Sequence, residues 1–181
     1  LRVFNSKFQL LYLNKYFTKI THIDKSYNYI FYPLHAEPEI SVSIFSPFYE
    51  NQIEVIRNVC KNLPANFKLI VKEHPRNIGR RKSGYYKKIC QIPNVVLVNP
   101  FESSRKVILL SKLSIVLSGF IAFETIMLNK PVLSLGNAMY NMLPKSMINN
   151  TNNIKDIFKE IKFCLTNFKY DEKIIYKYLK S

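Results

Sequence analysis

The chain lacks the features that mark membrane-spanning and disulfide-rich proteins. No stretch reaches the roughly 18 consecutive apolar residues that a membrane-spanning helix needs, and no basic-then-apolar leader follows Leu1. The three cysteines, Cys60, Cys90 and Cys164, are odd in number and widely spaced, so they form neither a disulfide framework nor a metal-ligand motif. We therefore expect a cytoplasmic protein without a signal peptide, in which Cys60 and Cys164 are buried, reduced thiols.

Acidic residues are also scarce, with 12 Asp and Glu against 27 Lys and Arg and a formal net charge of +15. Such a charge is typical of nucleic-acid-binding proteins. However, the sequence has no helix-turn-helix, zinc or RNP-type signature. Only six of the 27 basic residues are Arg, the residue that base and phosphate recognition favours. We therefore do not expect a nucleic-acid partner, and we expect much of the charge to be solvated surface.

What the sequence does contain is an alternation of short β-prone runs with helical patterns. Strands are predicted at 29–32, 67–71, 95–98, 113–117 and 131–135, and helices at 47–63, 85–91, 103–111, 120–129, 153–165 and 171–180. This alternation predicts an α/β fold, a Rossmann-like parallel sheet flanked by helices. We expect an N-terminal helical or connecting segment at 1–28, the Rossmann-like domain at 29–150, and C-terminal helices at 151–181 that pack on it or cross from it.

Ligands bind beyond the carboxyl ends of the strands in such a sheet, which directs attention to the residues after the second predicted strand. His74 is held out of the helical region by Pro75 and lies beside Lys72 and Arg76. An imidazole in this setting can donate to a phosphate oxygen or act as a general acid. Further cations follow closely, namely Arg80, Arg81, Lys82, Lys87 and Lys88. They favour an anionic ligand, although a solvated basic face explains them equally well.

Two further strand ends carry polar groups. Ser118 and Gly119 lead into a predicted helix, where backbone N–H groups can cradle a phosphate, or where Ser118 simply caps the helix. Glu124, inside that helix, can reach the hydroxyls of a ribose or pair with a nearby lysine. After the first strand, His35 and Glu37 are candidates for acid–base chemistry or for contact with an acceptor. His35, Glu37 and Glu39 also permit a metal site, but no second group of metal-capable side chains supports it, so none is expected.

Several segments together resemble the capsule polysaccharide biosynthesis family, which includes the capsule β-Kdo transferases. They are YIFYPLHAEPE at 29–39, LIVKEHP at 69–75, NVVLV at 94–98, SG at 118–119, FE at 123–124 and LNKPVL at 128–133. The Lys-Glu-His-Pro element is the most specific, and it is also similar to the His-Pro motif of bacterial sialyltransferases. Two positions depart from the family pattern. Members often have Gly at the position of Asn129 and Ser or Thr at that of Phe120, where a Phe is expected to narrow the phosphate cradle.

The resemblance implies a GT-B glycosyltransferase, in which two Rossmann-like domains enclose the active site, and this chain would be the C-terminal, donor-binding half. The implied donor is a CMP-activated acidic sugar such as Kdo, with no other cofactor. The implied acceptor is an acidic glycan or glycolipid, and a peripheral contact with the cytoplasmic face of the inner membrane stays open. The family pattern implies that His35 and Glu37 face the catalytic cleft. The expected nucleotide-binding residues are Lys72, His74, Pro75, Arg76, Ser118, Gly119 and Glu124.

Three other interpretations stay open on the residues alone. The first is a non-catalytic Rossmann-like module that binds a nucleotide, a glycan or a partner chain, because 181 residues are only about half of a GT-B enzyme. The second is a nucleic-acid-binding protein, which rests on charge alone. The third is a nucleotide-sugar epimerase of similar architecture. Binding of CMP that depends on His74 and Glu124 would favour the glycosyltransferase.

Overall fold

Parallel strands form the centre of the protein. The computed structural model describes residues 13–35, 51–82, 84–151 and 153–180. Within these residues the strands are β1 (Asn28–Pro33), β2 (Phe67–Lys72), β3 (Val95–Val98), β4 (Leu113–Val116), β5 (Val132–Ser134) and β6 (Ile148–Asn150). Neighbouring strands all pair in parallel, in the order β3-β2-β1-β4-β5-β6. The predicted Rossmann-like parallel sheet is therefore confirmed.

Helices cover both faces of this sheet. They are α1 (Gln52–Lys61), α2 (Tyr85–Cys90), α3 (Ser104–Leu110), α4 (Ile121–Met127), α5 (Ile157–Asn167) and α6 (Glu172–Lys180). One face packs against α1, α2 and α5 through residues such as Ile56 and Ile161. The other face packs against α3, α4 and α6 through residues such as Ile108 and Ile126. None of these helices is long and apolar enough to cross a membrane, as far as the described residues extend.

Some element boundaries differ from the predicted ones for local reasons. α1 begins at Gln52 because the Asn51 side chain accepts a hydrogen bond from the Glu54 N–H at 3.4 Å and so caps the helix. Pro47, which the pattern places in the first turn of this helix, lies outside the described residues. The sequence does not predict β6, because Ile148–Asn150 contains a single apolar residue and reads as a loop. Backbone pairing with β5 makes it a strand.

The segment before β1 consists of short 3-10 turns at Asn14–Tyr16 and Ile20–His22. Between these turns, the Thr18 N–H donates to the Leu97 carbonyl at 2.8 Å, and the Asn99 N–H donates to the Thr18 carbonyl at 3.0 Å. The segment therefore lies along β3, the edge strand of the sheet, and satisfies backbone groups that would otherwise be open to another chain.

The strand order also determines where a ligand can bind. β1 lies between β2 and β4, and the two connections that follow β1 and β4 leave in opposite directions, since α1 packs on one face of the sheet and α4 on the other. A crevice opens between the carboxyl ends of two strands whose connections diverge in this way. The candidate site is therefore expected between the loops that follow β1 and β4.

Ile108 and Leu109, adjacent residues of α3, provide a matched test of this packing. Ile108 is fully buried against the sheet, whereas Leu109 is 51% exposed. We expect Ile108→Ala to lower the free energy of unfolding by about 2–5 kcal/mol, and Leu109→Ala to change it by less than about 0.5 kcal/mol. Urea denaturation measures both values, and equal losses in the two variants would contradict the assigned face of α3.

Candidate functional site

A cavity of about 300 Å³ opens at the carboxyl edge of the sheet, in the crevice beside β1 and β4. The loops after β1, β2 and β4 and the first turn of α3 line it. The predicted site residues that line it are His35, Lys72, His74, Arg76, Ser118 and Gly119. Of the other predicted residues, Pro75 begins the 3-10 turn Pro75–Asn77 beside it, and Glu124 faces a neighbouring depression. Glu37 lies outside the described residues.

Lys72 brings a positive charge to the cavity from the end of β2. Its side chain is largely buried, with 7% of the residue exposed. Burial lowers the pKa of the ammonium group, and the negative charges of Glu73, Glu124 and Glu102 partly counteract this effect. Because the surroundings screen charge less than bulk water does, this ammonium group interacts strongly with an anion that enters the cavity.

His74 presents its imidazole at the rim of the cavity. Its backbone is extended, with φ −72° and ψ 134°, as expected for a residue before proline. The Nδ1 atom accepts a hydrogen bond from the Arg76 N–H at 3.2 Å, so this arrangement assigns the proton of the neutral ring to Nε2. The ring is exposed and can donate from Nε2 to a ligand oxygen. Arg76 and Arg80, both exposed, add guanidinium donors to the same cavity.

Ser118 and Gly119 contribute the side of the cavity that follows β4. Ser118 is 5% exposed, and its Oγ has no hydrogen-bond partner within the described part of the chain, so it does not cap α4. A buried hydroxyl left without a partner is costly, and a ligand atom that bonds to it removes that cost. Gly119 has φ +92°, a conformation that side-chain-bearing residues avoid. A Cβ at this position would lie 3.7 Å from Cε1 of His35, so the two loops approach closely.

His35 is positioned through its backbone by the first residue of α1. Its N–H donates to Oε1 of Gln52 at 2.8 Å, and Nε2 of Gln52 donates to the His35 carbonyl at 3.0 Å. Gln52 is fully buried, so this amide has one preferred position. The two hydrogen bonds fix the loop after β1 at the point where the imidazole of His35 meets the cavity. The expected catalytic role of His35 stays a prediction.

A buried ion pair that the sequence analysis does not identify joins the loops after β1 and β2. Glu73 is fully buried, and its carboxylate accepts hydrogen bonds from Nε of Arg81 at 2.8 Å, Nδ2 of Asn77 at 3.0 Å and the His74 N–H at 2.9 Å. Arg81 also donates to the His35 carbonyl oxygen. The pair therefore sets the position of His74 relative to His35. Its only sign in the sequence is one acidic residue within a basic segment.

The fold divides the cation cluster predicted beyond His74. Arg81 belongs to the ion pair with Glu73, in which the two side chains are 5% and 0% exposed, and its guanidinium lies over the Tyr85 ring at 4.6 Å. Lys88 lines a groove at the opposite edge of the sheet together with Cys60. The two side chains therefore lie apart from the cations that line the cavity: Arg81 because it turns inward to Glu73, and Lys88 because helix α2 carries the chain away from the cavity.

Glu124 lies in a second depression, of about 870 Å³, beside the cavity. Ser104 lines both spaces, and the ammonium group of Lys72 lies within electrostatic reach of Glu124, so the two spaces adjoin. Phe120 is 83% exposed and lines the second depression rather than the cavity. Phe120 therefore does not narrow the cavity that Ser118 and Gly119 line. Asn129 takes the left-handed conformation, with φ 56°, which Gly, the residue expected here from the family pattern, adopts without strain.

None of the three cysteines lines the cavity. Burial raises the pKa of Cys60 and Cys164 to about 12, so both thiols stay protonated near neutral pH. Cys164 is buried as predicted, whereas Cys60 is only partly buried because it lines the groove at the opposite edge of the sheet. Among the described residues, which do not include Glu37, no three His, Cys, Asp or Glu side chains come together to hold a metal ion.

The strand order and the crevice with its basic lining define a Rossmann-like domain of the kind that binds ligands at the carboxyl edge of its sheet. The model of the family described as capsule polysaccharide biosynthesis protein matches residues 11–152. The chain therefore belongs to this family. None of the curated proteins matches the chain.

Solved structures share the fold at low sequence identity. The β-Kdo 2,7 transferase KpsC of Thermosulfurimonas dismutans is 20% identical, with 86% of this chain and 50% of that chain covered and a TM-score of 0.53. The β-Kdo 2,4 transferase KpsC of the same organism is 12% identical, with 97% and 62% covered and a TM-score of 0.56. UDP-GlcNAc 2-epimerase of Neisseria meningitidis, solved with UDP-GlcNAc, is 17% identical, with 97% and 53% covered and a TM-score of 0.56. The chain thus spans about half the length of these structures and has the fold of one half of a GT-B protein.

Two acid–arginine pairs among the described residues allow a matched test of the buried network. Glu54 pairs with Arg57 at the surface, where the side chains are 51% and 46% exposed. We expect Glu73→Gln to lower the free energy of unfolding by about 3–5 kcal/mol, because Arg81 is left with an uncompensated buried charge. Glu54→Gln should cost less than about 1 kcal/mol. Chemical denaturation compares them, and a surface-like cost for Glu73→Gln would show that the network does not hold the two loops.

Proposed function

We propose that the protein is a glycosyltransferase of surface polysaccharide synthesis, and that the cavity binds the phosphate of its nucleotide-sugar donor. The observation that carries this proposal is the meeting of Lys72, His74 and Ser118 in one cavity at the carboxyl edge of the sheet. Membership of the capsule polysaccharide biosynthesis family supports the reaction class.

The chemistry of the cavity suits a phosphate. The basic residues Lys72, His74, Arg76 and Arg80 line it, whereas the carboxylate of Glu73 is engaged by Arg81. Charge-assisted hydrogen bonds from such donors to phosphate oxygens are strong. When a sugar is transferred, the bond between its anomeric carbon and the donor phosphate breaks, and negative charge develops on the departing phosphate. Hydrogen-bond donors of the protein whose bonds to the phosphate strengthen as this charge develops lower the activation barrier of the transfer.

The donor in this proposal is a CMP-activated acidic sugar of the Kdo type, in accordance with the sequence resemblance. Pro75 shapes the His74 turn, Glu124 holds the ribose, and Ser118 and Gly119 complete the phosphate site. His35 and Glu37 would act on the acceptor, which is an acidic glycan or glycolipid. The cations that line the cavity favour such anionic ligands. The proposed place of action is the cytoplasmic face of the inner membrane.

Two lysines of β2 test the phosphate site. Lys72 lines the cavity, whereas the ammonium group of Lys68 lies over the Tyr27 ring at 3.5 Å. Calorimetric titration with CMP should show binding about tenfold weaker or more in Lys72→Met and in His74→Ala, because each loses a bond to a charged group worth about 1.5–3 kcal/mol. Lys68→Met should bind CMP as the unaltered protein does.

Titrations with other ligands separate the competing interpretations. UDP that binds more tightly than CMP would contradict the CMP donor and favour a UDP-sugar, as in the epimerases that share the fold. An oligonucleotide that binds with a steep salt dependence, unchanged by Lys72→Met, would instead favour nucleic-acid binding. Equal CMP affinity in the Lys72, His74 and Lys68 variants would show that the cavity is not the phosphate site.

The role of Glu124 is tested with a pair of ligands. A carboxylate that accepts hydrogen bonds from the ribose should make CMP bind about fivefold or more tightly than 2′-deoxy-CMP, since one such bond is worth about 1–3 kcal/mol. In Glu124→Ala we expect this difference between the two ligands to disappear. Calorimetry measures all four affinities, and a preference for CMP that persists in the variant would assign the ribose to other residues.

A further inference from the structure

The outer face of α4 carries an apolar stripe in which Phe120 and Met127 are exposed, while Phe123 and Leu128 also pack against the core. Ala122, Thr125 and Ile126 lie on the buried side of this helix. Positions 120, 123, 124, 127 and 128, which recur at helical spacing, line the second depression instead. Apart from Glu124 the stripe is apolar, with Phe120 83% and Met127 57% exposed. An exposed apolar face beside a charged cavity indicates that a ligand or partner covers it.

The opposite wall of the depression is polar. It consists of Ser103, Ser104 and Arg105, where α3 begins. The depression therefore presents apolar side chains from α4 and hydrogen-bonding groups from the start of α3. This combination suits a planar heterocycle, whose faces are apolar enough to stack on an aromatic ring and whose edges carry hydrogen-bonding atoms.

The two adjoining spaces present three kinds of chemistry in a fixed order. Cationic donors, among them Lys72, line the cavity. The carboxylate of Glu124 comes next, within electrostatic reach of Lys72. The apolar stripe that contains Phe120 lies around Glu124. A nucleoside monophosphate carries its matching groups in the same order: an anionic phosphate, a ribose with hydroxyls, and a planar base.

We propose that the second depression is the nucleobase subsite, in which the base of the donor nucleotide stacks on Phe120 and turns its polar edge toward Arg105. This inference rests on the proposed function of the cavity as the phosphate site. Phe123 supports the stripe from below, because its ring packs edge-to-face on Tyr140 at 5.6 Å and against Tyr178 at 5.8 Å. Phe120 is the ring that stays exposed for stacking.

Two ligands, one with and one without a base, test the proposal in the full chain. We expect Phe120→Ala to weaken CMP binding about fivefold or more, the effect of losing one base–aromatic stack, and Phe120→Tyr to restore it. Ribose 5-phosphate, which has no base, should bind Phe120→Ala and the unaltered protein with the same affinity. Tyr176→Ala removes an aromatic ring that is 60% exposed on α6 and should change neither ligand's affinity.

The absence of tryptophan from the chain allows a direct spectroscopic readout. Phe120→Trp introduces one indole at the proposed subsite, and its fluorescence should be quenched by CMP but not by ribose 5-phosphate. Tyr176→Trp serves as the matched control, whose fluorescence neither ligand should change. A purely structural role of Phe120 would not produce this difference.

The possible failures are distinguishable. If neither CMP nor ribose 5-phosphate binds the unaltered protein, the proposals of the phosphate site and of the base subsite are both overturned. If both ligands bind and Phe120→Ala weakens them equally or not at all, only the base subsite is overturned. A loss of CMP binding in Phe101→Ala instead, at the exposed ring after β3, would also overturn it and place the base on another loop.

Discussion

The geometry of the candidate site depends on one buried ion pair. The carboxylate of Glu73 holds Arg81 and the backbone of His74 on the loop after β2, and Arg81 in turn reaches the carbonyl of His35 on the loop after β1. These loops belong to neighbouring strands but diverge toward different helices. A buried hydrogen-bond network in which each charge has a partner restricts the relative motion of the two loops.

The cavity itself is arranged differently from this network. Lys72 lies there largely buried, and Ser118 has a buried hydroxyl without a partner among the described residues. Both features cost stability in the free protein, and an anion with acceptor oxygens would compensate both. The Glu73 network behind the cavity therefore stabilises the two loops, while the buried ammonium group of Lys72 and the hydroxyl of Ser118 face the space that a ligand would occupy. This separation is common at binding sites, where strain and unsatisfied groups are retained for function.

Much of the fold follows from the periodicity of the sequence. Runs such as Leu69–Val71 and Val95–Val98 are too apolar to face water, so they predict buried parallel strands, and helical spacing predicts the elements between them. β6 cannot be predicted from periodicity, because its pairing with β5 depends on backbone groups that every residue carries. The division of the cation cluster cannot be predicted from the sequence either. Charge alone does not distinguish Arg81, which turns inward to Glu73, from Arg76, which lines the cavity.

The sequence by itself determined the α/β class, the family, and the residues at the carboxyl edge, because strand ends and the Lys-Glu-His-Pro element are local properties of the chain. Only the tertiary structure decided that His35, Lys72, His74 and Ser118 share one cavity. Those residues are far apart along the chain and meet because β1 lies between β2 and β4. It also decided that Phe120 stands outside the cavity, in the adjoining depression. The direction of a side chain depends on packing across the sheet, which sequence spacing does not contain.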